Sequence, residues 1–222
     1  GGGFGMKGGV FPEDALVSWA ARKTGRPVKW VAERMESIQS DCHGRDSVSD
    51  ASLALDASGK FIGLRVSTNY CQGAYLTPSA GVPAGMGSMA LTNVYDIPAA
   101  HIALRAVYTN TTPVGPYRGA GKPEAIYVME RLVDKAAAEM NIDPIEIRRR
   151  NYIRPAAIPY KTQLVLVHDS ANYEAVMDMA VEASDWNGYA KRKAESKKRG
   201  MLRGRGVAYF MEICGPFNDR ME

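Results

Sequence analysis

The spacing of apolar residues changes along this 222-residue chain, and that change restricts the fold more than any other feature. Over residues 48–56, 60–70 and 99–109 apolar and polar residues alternate, the period of a strand with one buried face. Asp56-Ala57-Ser58-Gly59 lies between the first two runs and has the composition of a hairpin turn. From Pro123 onward the apolar side chains recur three and four apart. Helices are expected over 123–140, from Asp143-Pro144 to Asn151, from Asn172 to Ser184 and from Asp185 to about Lys198. An early helix begins at Pro12 and stops at Gly25. Strands first and helices later predict an α+β fold of mixed sheets with packed helices, not a doubly wound sheet. Residues 1–115 read as strand-rich and 116–222 as helix-rich. Strands are also expected over 27–32, near Leu164 and, closing the chain, over 204–213. Residues 72–94, rich in Gly, Ala, Ser and Pro, read as irregular.

Composition narrows the function classes. Hydrophobic residues make up 45% of the chain, enough for a sizeable core. The net charge is only +4, much of it from the tract Lys191–Arg205, so no dedicated nucleic-acid surface is expected. The part of that tract up to Lys198 reads as a solvated helix face. Cys42, Cys71 and Cys214 are far apart with no Cys-x-x-Cys pair, which argues against a zinc or iron–sulfur site and for a reduced, cytoplasmic compartment. His43, His101 and His168 are scattered and read as hydrogen-bonded rather than metal-bound. No signal peptide and no membrane-spanning run is evident. The glycine-rich opening and the apolar segment before Glu222 suggest a piece of a longer protein.

Two glycine loops carry the chemistry. Gly1-Gly2-Gly3-Phe4-Gly5 has four glycines in five residues, more than a turn needs. Such bare backbone can approach a ligand closely and offer N–H donors. Gly3, Gly5 and Gly8 also match a dinucleotide fingerprint, with Glu33 in the place of a ribose-binding acid. A Rossmann-like nucleotide module is therefore one reading. The second loop, Tyr117-Arg118-Gly119-Ala120-Gly121, sets one permanent cation in bare backbone before a helix N-terminus, an arrangement that favours an anion or an oxo group.

Gly1-Gly2-Gly3-Phe4-Gly5-x-Lys7 and Pro116-Tyr117-Arg118-Gly119-Ala120-Gly121-Lys122-Pro123-Glu124-Ala125 together resemble the cofactor motifs of the xanthine dehydrogenase / aldehyde oxidase family of molybdenum hydroxylases. Thr24-Gly25-Arg26-Pro27-Val28, Glu33-Arg34-x-Glu36, His43-Gly44-Arg45-Asp46 and Asp143-Pro144-x-Glu146-x-Arg148-x-x-Asn151 fit in the same order. The chain thus resembles an internal piece of the large, molybdopterin-binding subunit. The resemblance implies a molybdenum–molybdopterin cofactor, the cytosine dinucleotide form included, with Gly2, Gly3, Phe4, Gly5, Arg118 and Gly119 beside it. It implies hydroxylation of a small electron-poor substrate with water as oxygen source, and electron transfer to iron–sulfur and FAD subunits in an oligomeric assembly. The family's catalytic glutamate is expected beyond Glu222, so Glu124 and Glu212 are not candidates for the base. The piece alone is expected to hold no cofactor and to act, in isolation, as scaffold.

The departures bear on substrate. Purine-oxidising members carry a glutamate at the position of Gly8, an arginine aligned here with Gly44 and a stacking phenylalanine at the position of Ala120. The three losses point away from xanthine. Copper-containing carbon monoxide dehydrogenases carry a cysteine where Gly119 stands, so the thiolate for copper is missing. The Tyr-Arg-Gly-Ala-Gly form resembles the carbon monoxide dehydrogenase-like branch, with aldehydes or N-heterocycles as the expected substrates. Gly8, Gly44, Ala120 and, from the closing strand, Glu212 are the expected pocket residues; Tyr75 and Met86 are candidates for shaping a funnel to it.

Overall fold

A computed structural model describes residues 3–212, so Gly1, Gly2 and Cys214 lie outside the described residues. The fold is α+β, as the change of period predicts. Its elements are α1 (Pro12–Thr24), α2 (Arg34–Ser40), β1 (Ser47–Leu55), β2 (Phe61–Cys71), α3 (Val82–Ala90), β3 (Ala100–Val107), α4 (Lys122–Met140), α5 (Pro144–Asn151), β4 (Tyr160–Lys161), β5 (Val167–His168), α6 (Tyr173–Ala183) and α7 (Tyr189–Lys198). The sheet runs β1-β2-β3, and β4 pairs antiparallel with β5.

Local chemistry sets the boundaries. The carboxylate of Asp14 accepts the Phe11 N–H at 2.9 Å, Pro12 opens α1, and Gly25 closes it at φ 64°. Between β1 and β2, Asp56 Oδ1 accepts the N–H groups of Ser58 and Lys60 at 2.8 and 3.0 Å, and Gly59 turns at φ 85°. The hydroxyl of Ser58 and these backbone donors hold the Asp56 carboxyl below the usual carboxylate range. Asp143 caps α5 by accepting from Ile145 and Glu146 at 2.8 and 3.2 Å.

Three expectations need correction and a fourth is refined. Residues 27–32 form no strand; the chain runs irregularly into α2, whose N-terminus is closed by Glu36 accepting the Glu33 N–H at 2.8 Å. Residues 72–94 are not irregular throughout, because α3 forms there. Its glycines argued against a helix, but Gly87 is needed for close packing and the cost of about 1 kcal/mol per glycine is overridden. The short strand expected near Leu164 is a pair, β4 and β5, with Leu164 itself in the turn that joins them. Residues 204–212 form no strand; the carbonyl of Val207 and the backbone of Tyr209 are held by side chains instead of a sheet, and residue 213 lies outside the described residues.

The chain divides into two compact units. One comprises the described part of Gly1–Asp50 with Val66–Met89 and Ile102–Ala125; the other comprises Ala51–Arg65, Ala90–His101 and the described part of Ile126–Glu222. The second unit is built on a buried charge pair. Arg148, 0% exposed, donates to Glu130 Oε2 at 2.9 and 2.8 Å, to Asp134 at 2.8 Å and to the Val207 carbonyl at 3.1 Å. Glu130 also accepts from the Tyr95 hydroxyl and the Tyr209 N–H. Every polar atom of the pair is thus occupied, the condition under which a buried charge is tolerated. Around it pack Phe61, Tyr95, Tyr152, Tyr173 and Tyr209, with ring centroids 5.4–6.3 Å apart. Asn151, also fully buried, accepts the Phe61 N–H and donates to the Gly59 and Ile147 carbonyls, all at 2.8 Å. The Asp-Pro-x-Glu-x-Arg-x-x-Asn motif is therefore structural: a cap, a buried cation and a clasp on the β1–β2 turn.

Candidate cofactor site

The first unit brings the two glycine loops together. Gly5 sits at φ 90° with its Cα against the second loop; a side-chain carbon there would lie 2.7 Å from the Pro116 carbonyl oxygen. Only a bare, left-handed residue fits. Phe4, at φ 51°, shares the left-handed conformation and points an exposed ring outward. Residues Met6–Gly8 then form a single 3-10 turn, with the Lys7 N–H on the Gly3 carbonyl at 3.1 Å.

The second loop is folded by its own glycines. The Ala120 N–H bonds back to the Tyr117 carbonyl at 2.6 Å and the Lys122 N–H to the Gly119 carbonyl at 3.1 Å. Gly119, Ala120 and Gly121 lie in succession at φ 97°, 46° and 90°, and then α4 begins. A side chain on Gly121 would overlap the Pro83 carbonyl of α3, and one on Gly87 of α3 would lie 2.5 Å from the Tyr70 hydroxyl. Tyr70 is buried, which, with the charge of Glu124 nearby, pushes its phenol to about 12. The helix that the composition of residues 72–94 hid is thus part of the loop's seat; of the glycines at 81, 85 and 87, Gly87 makes the close approach, whereas Gly81 and Gly85 face open space.

The segment His43–Asp46 straps the second loop from the other side. The His43 N–H bonds to the Pro113 carbonyl at 3.0 Å, and the Gly115 N–H returns to the His43 carbonyl at 2.9 Å. Gly44 packs so closely on Tyr117 that a carbon added to it would lie 2.8 Å from the Tyr117 Cβ. Its lack of a side chain serves this approach. Arg45 stacks over the Tyr117 ring at 4.7 Å, donates to the Arg118 carbonyl and lies 4.0 Å from Glu124. Sequence reasoning quoted Arg45 within a motif but gave it no role. Glu124, in the first turn of α4, keeps one carboxylate oxygen buried without a hydrogen bond.

Among the described residues, the backbone N–H groups of Phe4, Gly5, Arg118 and Gly119 have no acceptor. The exposed Arg118 guanidinium makes no hydrogen bond or ion pair with them either. Unmet N–H donors on two touching loops, with one free guanidinium, suit oxo or phosphate oxygens. Gly3 and Gly8 face open space, with nothing within 4 Å of an added side-chain carbon, so a bulky group can approach them. The residues present therefore fit a molybdenum–pterin group.

Of the expected pocket residues, Gly8, Gly44 and Ala120 lie in this unit; Glu212 belongs to the second unit and is exposed. Gly2 lies outside the described residues. No group of three or more His, Cys, Asp or Glu side chains suited to a metal ion occurs among the described residues. Nor is any helix there long and apolar enough to cross a membrane. The βαβ unit of the nucleotide-binding reading is not formed: no strand lies between α1 and α2, and Glu33 stands at the N-terminus of α2.

The chain is similar to known proteins in sequence and fold. A family model described as a molybdopterin cofactor-binding domain matches residues 1–152. The chain is 36% identical, over its whole length, to 28% of the carbon monoxide dehydrogenase large chain of Hydrogenophaga pseudoflava. It is 34% identical, over 97% of its length, to 28% of the 6-hydroxypseudooxynicotine dehydrogenase complex subunit gamma of Paenarthrobacter nicotinovorans. The crystal structure of quinoline 2-oxidoreductase from Pseudomonas putida 86 superposes with a TM-score of 0.83 at 34% identity, covering 90% of this chain and 26% of that one. The chain thus spans just over a quarter of the length of these relatives. It belongs to the molybdopterin cofactor-binding domain family, in the large-subunit lineage of the xanthine dehydrogenase-type molybdenum hydroxylases and its carbon monoxide dehydrogenase-like branch.

Proposed function

We propose that this chain supplies two of the loops that hold the molybdenum–molybdopterin cofactor of a hydroxylase acting on an N-heterocycle or an aldehyde, with water as oxygen source. One observation carries the reading: the backbone contact of Gly5 with Pro116 joins two glycine loops that share four unmet N–H groups and the Arg118 cation. When bound, the cofactor supplies the two-electron oxidation. The chain's residues bind and orient it: Gly3, Phe4, Gly5 and Gly119 through backbone, Arg118 through its guanidinium. Fixed donors of this kind stabilise negative charge developing on oxygen without reorganising at the moment of reaction. The cofactor form is proposed to be the cytosine dinucleotide. Electrons are proposed to leave to iron–sulfur and FAD subunits, in the cytoplasm.

Substrate class follows from what the loops lack. Gly8 offers no carboxylate and Ala120 no ring, so a purine finds neither partner. Gly119 offers no thiolate for copper. Two relatives whose names refer to N-heterocycles, the nicotine 6-hydroxylase large subunit at 33% identity and quinoline 2-oxidoreductase at 34%, support N-heterocycles as a substrate class; it is the missing thiolate at Gly119 that argues against carbon monoxide. The test is a steady-state panel on the full-length enzyme: quinoline and pyridine heterocycles, aromatic aldehydes, xanthine and carbon monoxide. Turnover of a heterocycle or an aldehyde is expected, and efficient xanthine or carbon monoxide oxidation would refute the assignment. Arg118→Ala should lower kcat by about 100-fold or more while the protein folds normally. Wild-type turnover in that variant, with molybdenum bound, would remove Arg118 from the site.

A further inference from the structure

The strap residue Arg45 is absorbed by neither the fold nor the cofactor contacts proposed above. It is held in the left-handed region at φ 62°, an unfavourable conformation for arginine, so its placement is specified by its surroundings. Its guanidinium lies over the Tyr117 ring at 4.7 Å, donates through Nη2 to the Arg118 carbonyl, and has Nε 4.0 Å from Glu124. The buried carboxylate oxygen of Glu124 that lacks a hydrogen bond faces this same cation. Tyr117, Arg118 and Glu124, three residues of the second loop and its helix start, are thereby tied to one side chain.

The Arg118 carbonyl and the Gly119 N–H belong to one peptide unit. In a planar trans peptide these two groups point in opposite directions. Whatever fixes the carbonyl also fixes the direction of the N–H. Gly119 sits at φ 97°, where a glycine backbone rotates with little penalty, so the loop itself restrains that peptide weakly. Gly119 is further held by the Lys122 N–H on its own carbonyl at 3.1 Å and by packing against Pro123, 2.5 Å from where a side-chain carbon would stand, neither of which engages the Arg118 carbonyl. The Gly119 N–H has no acceptor among the described residues and points away from the carbonyl that Arg45 holds.

We propose that Arg45 is a positioning residue: by holding the Arg118 carbonyl it aims the Gly119 N–H at the bound cofactor's oxygen. This rests on the cofactor reading above and extends it to a residue that does not itself touch the cofactor. A planar guanidinium suits the role because it can lie over Tyr117 and at once present an N–H from its own edge; an ammonium can donate but cannot stack as a plane. Misaiming one donor costs less than deleting it. The expected loss in kcat is about 10- to 100-fold for Arg45→Ala, with Arg45→Lys in between.

The test uses full-length protein purified with its cofactor. Molybdenum and pterin content, kcat and KM, and the electron paramagnetic resonance spectrum of the partly reduced molybdenum are measured for wild type, Arg45→Ala and Arg45→Lys. The expected result is wild-type molybdenum content, KM within about threefold, kcat reduced as above, and a shifted spectrum that Arg45→Lys partly restores. A wild-type spectrum and wild-type kcat in Arg45→Ala at full occupancy would overturn the positioning role and leave the cofactor reading intact. A kcat loss that merely tracks lost molybdenum would also overturn it, since Arg45 would then only support the fold. Wild-type protein devoid of molybdenum would overturn both.

Discussion

At Gly5, Gly44 and Gly121 a hydrogen occupies the space where another residue would drive carbon into neighbouring backbone or Tyr117, whereas Gly3 and Gly8 face open space. The two kinds of glycine should respond differently to the same change. Gly121→Ala meets the Pro83 carbonyl at a left-handed φ and should destabilise the protein by about 2–4 kcal/mol. Gly8→Ala should shift stability by no more than about 0.5 kcal/mol. Thermal unfolding of both variants decides this, and equal losses would refute the distinction. A sequence shows that glycines cluster, which marks close approach, but not what is approached: Pro116, Tyr117 and Pro83 lie 38–111 positions from their glycines. Arg118 was readable as a lone cation in bare backbone, while Arg45 was not, because its role depends on a carbonyl 73 residues away. His168, 3% exposed, is a second residue whose behaviour comes from burial. Burial holds its pKa below the ordinary 6.5. The unfolded chain therefore binds the proton first, and stability is full above that value and falls as pH drops below it. The melting temperature should decline between pH 7 and 5, less steeply in His168→Gln; identical slopes would remove His168 as the cause.

At the scale of elements, boundaries marked by side-chain chemistry were readable and those set by distant contacts were not. Pro12 and Gly25 frame α1, Asn172 caps α6 by accepting the Ala175 N–H at 3.1 Å, and Asp56 with Gly59 makes the first turn. Residues 27–32 and 204–212 carry strand-like composition, yet among the described residues no partner strand pairs with them, and pairing is what a strand requires. α3 forms despite its glycines because tertiary packing outweighs propensity. Helix α5 offers a direct comparison between a local and a distant contact. Asp143→Ala removes a cap and should cost about 1 kcal/mol. Asn151→Ala leaves the Phe61 N–H and the Gly59 carbonyl without their buried partner and should cost about 2–4 kcal/mol. Equal shifts in the urea midpoint for the two variants would refute the clasp on the β1–β2 turn.

At the scale of the molecule, each compact unit holds its polar groups differently, and the difference bears on what the chain can do alone. In the second unit Arg148 is matched by Glu130, Asp134 and two carbonyls, so its order needs no ligand. In the first unit the loops leave four N–H groups and a guanidinium without partners among the described residues, and α1 buries none of its residues. Such loops gain from a bound group, but they are only part of what would hold it, since the chain spans 28% of its curated relatives. Each hydrogen bond contributes about 0.5–1.5 kcal/mol net, more to a charged partner. Association alone costs an estimated 4–15 kcal/mol, before the loops are ordered. Four backbone donors and one arginine do not clearly exceed that. The 222-residue chain produced by itself should therefore carry far less than one molybdenum per molecule and show no hydroxylase activity, whereas full-length protein from the same cells should carry close to one. Elemental analysis of both, purified in parallel, is the measurement. Stoichiometric molybdenum with turnover in the short chain would mean that these two loops suffice, and that the contacts in the remaining length of the relatives contribute little to holding the cofactor.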